Sequence, residues 1–530
     1  MSNDPNFSQG FDLNASGSFG SMQGFYHDPS NNQFSIPTTE YAPSPISQTF
    51  GYSDPFQFPG YNMLNQNNQN AVQSAFQGNV NAAAYVGFNL WKGLDGFQKD
   101  SQEAAKFVKF AADGGHVNSI NVYGFMLDKG DGVPQNKQEA LNYYKIAADQ
   151  YSDPNAMFNY ALTQKSLNNR QEAAVYFKKA ADAGQLHACS SYGLMLLNGD
   201  GIQMDKLQGA NYLKRAADGG VANAMGIYGN ILRGVGQYSN INGFSYSKTE
   251  AFKYIQQAAN KGLPQSLYDL GMMLKDGEGG CPKNPKEAIV YIKQAADKGF
   301  IPAMNQYGII MWTGKQGCVD YPNLVEAATY LQMGADRGHL EAMNNYAILV
   351  KDGTNDLPQN LEHTVKYLRM AASKGYIPSI INLANLLYSG YGEAFPQNQA
   401  EAAMYYKQAA DKNQVYAIQV YGAMLRDGIG VQVDKNQAAF YLKKAADMGH
   451  GYAMLDYGLM LKTGDGIPQD KKEAAAYLKK SADAGYARAM YEYSTILRNG
   501  DGVPPNLSEA ERYYQMAVKQ KDVLVNLANK

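Results

Sequence analysis

Charge is scarce in this sequence and cysteine scarcer still. Of 530 residues only 18% are charged, and the formal net charge is −2. A balance so close to neutral carries none of the basic excess that nucleic acid or an acidic membrane surface would select. The three cysteines, Cys189, Cys281 and Cys318, form no Cys-x-x-Cys pair and are odd in number. A secreted disulfide framework is thereby excluded, and a reducing compartment is implied. No stretch approaches the ~18 apolar residues of a membrane span. The first Lys or Arg is Lys92, so the N-terminal region has neither the charged start of a signal peptide nor the arginines of a transit peptide. The closing Leu-Ala-Asn-Lys is neither a prenylation nor an ER-retention signal. These absences lead to the expectation of a cytosolic protein without direct membrane insertion.

Residues 1–70 are rich in Asn, Gln, Ser, Gly and Pro, with aromatics scattered through them and few aliphatics. Such a segment buries too little apolar surface to offset its ordering entropy, so it reads as a disordered tail dispensable for folding. Its spaced aromatics resemble tracts that self-associate.

From residue 71 the character changes. One unit recurs: Ala-Met, two residues, Tyr-Gly, then Leu, a Gly-Asp-Gly-type turn, and about 14 residues later Lys-Ala-Ala-Asp closed by Gly. Its anchor position falls at Tyr85, Tyr123, Tyr160, Tyr192, Tyr228, Leu270, Tyr307, Tyr346, Leu383, Tyr421, Tyr457 and Tyr493, about every 37 residues. A fixed period of this length marks a solenoid. Ala303, Met304, Tyr307, Ile310 and Met311 share one face of a helix A. Ala288, Tyr291, Ile292, Ala295 and Ala296 do the same for a helix B. Gly130 to Pro134 ends one such helix A with residues that tolerate positive φ and a Pro that stops continuation. The fold class is therefore all-α: an α-solenoid of about twelve helix–turn–helix repeats over 71–520, taken as right-handed, with a short tail at 521–530.

These motifs resemble the Sel-1-like repeat family, a relative of the tetratricopeptide repeat. The resemblance covers roughly 71–520 and implies a protein scaffold without catalysis of its own. Three irregularities stand out. The third repeat lacks the Gly turn, the fifth carries an insertion at 236–248, and the sixth and ninth place Leu270 and Leu383 where Tyr is usual.

No chemistry emerges beside this pattern. His116, His339 and His450 each follow the Gly closing helix B and read as caps. His27, His187 and His363 have no Cys or acidic partner at ligand spacing. The Gly-Asp-Gly turns lack the Gly-Lys-Ser/Thr of a phosphate loop and the alternating acids of a calcium loop. No catalytic residue, metal, cofactor or small-molecule substrate is expected.

The helix A face opposite the core stripe remains, at positions −2, +2 and +5 from the anchor. In repeats six to nine it reads Tyr268, Met272, Lys275; Asn305, Ile309, Trp312; Asn344, Ile348, Lys351; Ile381, Asn385, Tyr388. A solvated face would be charged, whereas this one mixes aromatic, aliphatic and amide groups, the composition of a peptide-binding groove. Burial between repeats is the competing reading. The +5 position is basic in seven repeats, including Lys275, Lys351 and Arg426, which complements the dipole at a helix C-terminus. The leading expectation is an adaptor that binds partner proteins, as peptide segments or helices, through the concave helix A face, with no nucleic acid involved. Other roles within the family are the adaptor of an ER-associated degradation ubiquitin ligase, or a regulator of a membrane enzyme such as a polysaccharide synthase. A hydrolase like the cysteine-rich bacterial relatives would need paired cysteines in each repeat.

Overall fold

The computed structural model describes residue 50, residues 54–314 and residues 317–528, with 521–528 as backbone only. Among the described residues there are α-helices and short 3-10 turns but no strand. The chain divides into two compact units at Leu167 and Asn168, within the third repeat, where the Gly turn is missing.

The first unit holds a helix at Gln66–Phe76, the helix A/helix B pairs Val80–Lys92 with Ser101–Asp113 and Val117–Lys129 with Lys137–Tyr151, and the third helix A, Pro154–Ser166. Local chemistry sets the ends. The Asp100 carboxylate accepts from the Gln102 and Glu103 N–H groups, and the His116 ring accepts from that of Ser119. Gly130 then closes helix A at φ 72°.

Residues 1–49 and 51–53 of the expected tail lie outside the described residues. Its last part, 54–70, is folded, with 3-10 turns at Pro55–Gln57 and Tyr61–Met63 and the start of the helix at Gln66. Phe58, Tyr61 and Leu64 are buried. Phe50 stacks on Phe107 with ring centroids 4.3 Å apart, and Phe58 meets Phe97 and Phe107 edge-on. A few aromatics, each with ~150–250 Å² to bury, cover the open end of the first helix pair without needing any period. The first anchor also moves by one residue. Val86 is buried and followed by Gly87, which lies against Val108, whereas Tyr85 is exposed and its hydroxyl donates to Asn68 and Asp95.

The second unit begins with the third helix B, Arg170–Asp182. It continues with the pairs Leu186–Asn198/Lys206–Asp218, Ala222–Arg233/Lys248–Asn260, Pro264–Asp276/Pro285–Asp297, Ile301–Thr313/Leu324–Asp336 and Leu340–Asp352/Leu361–Ser373. Ile377–Ser389/Gln399–Asp411, Val415–Asp427/Lys435–Asp447, Gly451–Thr463/Lys471–Asp483 and Ala487–Asn499/Leu507–Ala528 complete it, so the last helix runs past the expected boundary at 520. Small residues let the helices close up. A Cβ on Gly458 would come 2.8 Å from Leu478 Cγ, and Ala295 and Ala296 are fully buried. The insertion after the fifth helix A is pinned: Ile241 is buried, and the Tyr246 hydroxyl accepts from the Ile241 N–H at 2.6 Å and donates to the Tyr238 carbonyl.

One polar unit ties most helices B to the one before. The anchor Tyr of helix A meets a helix B Tyr edge-on, as in Tyr346–Tyr367 at 5.1 Å and Tyr457–Tyr477 at 5.0 Å. That second phenol donates to the Asp that ends the preceding helix B: Tyr212 to Asp182 at 2.7 Å, Tyr367 to Asp336 and Tyr477 to Asp447 at 2.5 Å. The same Asp also receives a Lys one turn earlier, as Lys443 to Asp447. Hydrogen bonds from Lys443 and then Tyr477 hold the Asp447 carboxyl below its usual value. Burial first, and the bond to Asp second, push Tyr212 and Tyr367 up to about 12.

Two outcomes are expected. Deleting residues 1–70 should accelerate hydrogen exchange in the helix Ser101–Asp113, because Phe107 loses its cover; unchanged exchange would show that these aromatics cap nothing. The phenol pKa values also set an alkaline limit. A phenol raised in the folded state stabilises fully below its unfolded value of 10.0, and that contribution fades as pH climbs toward about 12. Melting temperature should therefore fall between pH 10 and 12, and a flat profile there would contradict the account.

Candidate binding face

The twelve expected site residues all sit on helices A of the second unit, but they divide into two groups. Tyr268, Met272, Ile309, Trp312, Ile348, Lys351, Ile381, Asn385 and Tyr388 are half-buried. Lys275, Asn305 and Asn344 are buried.

The buried amides correct the sequence reading. Asn305 accepts from Asn345 of the next repeat at 3.0 Å. Asn344 accepts from Asn382 at 2.8 Å and from the Ser379 hydroxyl at 3.1 Å. Position −2 of one helix A therefore faces position −1 of the next, and these amides stitch repeats together instead of waiting for a ligand backbone. Asn230 donating to Asp269 at 2.8 Å, and Gln419 to Asp456 at 3.2 Å, extend the same seam.

The basic +5 positions are spent in the same way. Arg233 pairs with Glu278 at 2.7 Å, Arg426 with Asp456 at 2.9 Å and Lys462 with Glu492 at 2.9 Å, all acids of the following repeat. Lys275 and Lys351 lie 3.7 and 3.4 Å from the adjoining Asp276 and Asp352. What stays available is an apolar strip of Met272, Ile309, Trp312, Ile348 and Ile381, running on to Tyr388.

At its far end the strip opens into a recess of about 370 Å³, lined by Asn385, Tyr388, Tyr406, Tyr416, Gln419 and Val420 among others. The ninth repeat breaks the array's rule here. Leu383 replaces the anchor Tyr, and Ser373 stands where the preceding helix B should end in Asp. Tyr406 occupies the helix B position held by Leu368 and Leu442 in the neighbouring repeats. Its ring is buried, but its hydroxyl donates to Asn385 Oδ1 at 2.6 Å, on the helix A face. Tyr416 donates to the same oxygen at 3.3 Å. Burial and the neighbouring Tyr416 hold the Tyr406 phenol far above its ordinary value, so it remains a donor. Neither Tyr406 nor Tyr416 was anticipated. The signal was present as a Tyr in a Leu column beside a Leu in a Tyr column.

The remaining candidates stay structural. His339 caps its helix by accepting from the Ala342 N–H, while His450 holds the same position with Nδ1 buried and without a partner. His363 Nδ1 pairs with the Tyr346 hydroxyl at 2.9 Å. Burial raises the thiols of Cys189, Cys281 and Cys318, the opposite of an activated nucleophile. Among the described residues no cluster of potential metal ligands occurs, and no helix is long and apolar enough to cross a membrane.

Comparison with known proteins now decides the family. The Sel1 repeat model matches twelve times, from 80–116 through 301–339 and 377–414 to 487–522. The chain belongs to the Sel1 repeat family. Sel1 repeats are typically a non-catalytic protein-interaction fold. The crystal structure of c5321, described as a protective antigen of uropathogenic Escherichia coli strains displaying an SLR fold, is 23% identical. The match covers 86% of this chain and 95% of that one, with a TM-score of 0.68, and at this identity it supports the fold alone. A Sel1 repeat protein from Oxalobacter formigenes is 24% identical over 60% of this chain and 89% of its own, with a TM-score of 0.46. No curated protein matches.

The seam is testable as structure. Asn344→Ala leaves the Ser379 and Asn382 donors unpartnered and should cost ~1–3 kcal/mol, read as a lower melting temperature. Unchanged melting would return Asn344 to the candidate ligand contacts.

Proposed function

We propose that this Sel1 repeat protein is a non-catalytic scaffold that holds an extended segment or helix of a partner protein against the helix A face of repeats six to ten. The supporting observation is the strip itself. Met272, Ile309 and Ile348 recur at position +2 on successive helices A, flanked by Trp312 and Tyr388 at +5 and Ile381 at −2, and all stay half-buried, while the polar and charged groups beside them are paired within the array. Apolar side chains left open in a row, bordered by satisfied polar groups, suit a chain laid across several repeats. The repeats supply rigid spacing, and Trp312 supplies a large anchor of the kind that dominates such interfaces.

The double change Trp312→Ala, Ile309→Ala should remove most captured partner while melting shifts by only a few degrees. As a control, Val290→Ala with Val325→Ala alters exposed helix B residues and should leave capture intact. Affinity capture on immobilised full chain, with mass spectrometry of what is retained, reads both. An unchanged set of retained proteins, or a melting drop of tens of degrees, would sink the proposal.

A further inference from the structure

We infer that the last helix, Leu507–Ala528, is a self-association surface that pairs antiparallel with the same helix of a second copy of this chain. The inference is independent of the helix A face and of what that face holds.

The surface comes from a break in the repeat. In repeat eleven, Ala475, Leu478 and Ala482 share one stripe of helix B and are buried in a cluster with Ala489, Met490 and Tyr493 of the next helix A. The equivalent residues of the last helix are Glu511, Tyr514 and Val518. Glu511 and Val518 are exposed and Tyr514 is half-buried, and among the described residues no helix lies over them. Beside them Tyr491 is 53% exposed, whereas Leu455, at the same position of the preceding helix A, is buried. The Tyr491 and Tyr514 ring centroids lie 6.4 Å apart. A stacked repeat offers such a stripe for a neighbour to bury, and these aromatic and aliphatic groups give a neighbour something to cover.

The helix is also long for its repeat. The other helices B of the second unit span 13 residues, and this one spans 22. Steps of four and three residues carry the open stripe along its whole length, through Leu507, Glu511, Tyr514, Val518, Lys521 and Val525. Leu507, at its start, is 68% exposed.

The occupant follows from the order of that stripe. From either end it reads apolar, charged, apolar, apolar, charged, apolar, and the spacing of four, three, four, three and four residues is the same in both directions. An antiparallel copy, with the two-fold axis midway between Tyr514 and Val518, therefore sets Leu507 opposite Val525, Glu511 opposite Lys521 and Tyr514 opposite Val518, each pair twice. A parallel copy would set Glu511 on Glu511 and Lys521 on Lys521. A two-fold interface requires this self-complementarity, and flanking charges fix the orientation of paired helices. A foreign partner imposes no such symmetry. Glu511 can be shared: Gln515 donates to it at 2.7 Å and Arg498 lies 3.6 Å away, in an ion pair whose side chains are both more than half exposed.

The test is sedimentation velocity on the full chain over a concentration series. The 58.0 kDa chain should run as a reversible dimer of twice that mass. Val518→Glu, beside the axis, should leave monomer at concentrations where the unaltered chain is dimeric, with helical circular dichroism unchanged. Glu511→Lys and Lys521→Glu, made singly, each set like charges opposite one another twice and should raise the dimer Kd about tenfold or more. Combined, they restore opposite signs and should bring the Kd back to within about threefold of the unaltered chain. The charge swaps keep the test informative if Val518→Glu fails to fold. A chain that stays monomeric throughout, a dimer indifferent to Val518→Glu, or single swaps whose combination gives no recovery would overturn the assignment.

Discussion

Everything in the second unit hangs on where a tyrosine hydroxyl goes. In most repeats a helix B phenol donates to the Asp that ends the preceding helix B, while its ring meets the anchor Tyr of helix A edge-on. One small constellation thus spaces helix B from its own helix A and from the helix B before it. It also consumes the charge on that side, since each such Asp is claimed by a phenol and often by a Lys one turn away. A second seam, made by amides and ion pairs between successive helices A, does the same on the other side. With these polar groups committed to holding repeats together, the strip left open on helices A of repeats six to nine is apolar and aromatic.

The sixth and ninth repeats lose the anchor ring and the Asp acceptor together, while keeping the helix B tyrosine as Tyr291 and Tyr405. Both replace the anchor Tyr with Leu, and both are preceded by a helix B that ends without Asp, at Asn260 and Ser373. Ring and acceptor disappear together, as expected of groups that are useful only in combination. In the ninth repeat the next residue along, Tyr406, sends its hydroxyl the other way, to Asn385. Departures from an otherwise consistent pattern are where function is expected.

Much of this was legible in the residues. The period, the helix faces and the turn chemistry define the fold class, because Ala-Ala pairs, Tyr anchors and closing glycines each have a single geometric use. The site was legible only in part. A helical wheel places Asn305 and Asn344 opposite the core, but it treats the helix as solitary, and the neighbouring helix A covers that flank. Tyr406 reads from its spacing as core, and its ring is; period gives the direction of Cβ, not where a phenol ends. Residues 54–70 lacked any period because a capping segment packs a few aromatics irregularly and repeats nothing.

The central claim, that the helix A face receives the partner, has a built-in reporter. Trp91 is buried and donates to Asp131 at 2.7 Å, while Trp312 is half-buried on the proposed face. In a Trp91→Phe protein all tryptophan emission comes from Trp312. Titration with a partner peptide should shift that emission to the blue and saturate with the binding curve, since docking takes the indole out of water. Saturable binding that leaves the Trp312 spectrum unchanged would contradict the account.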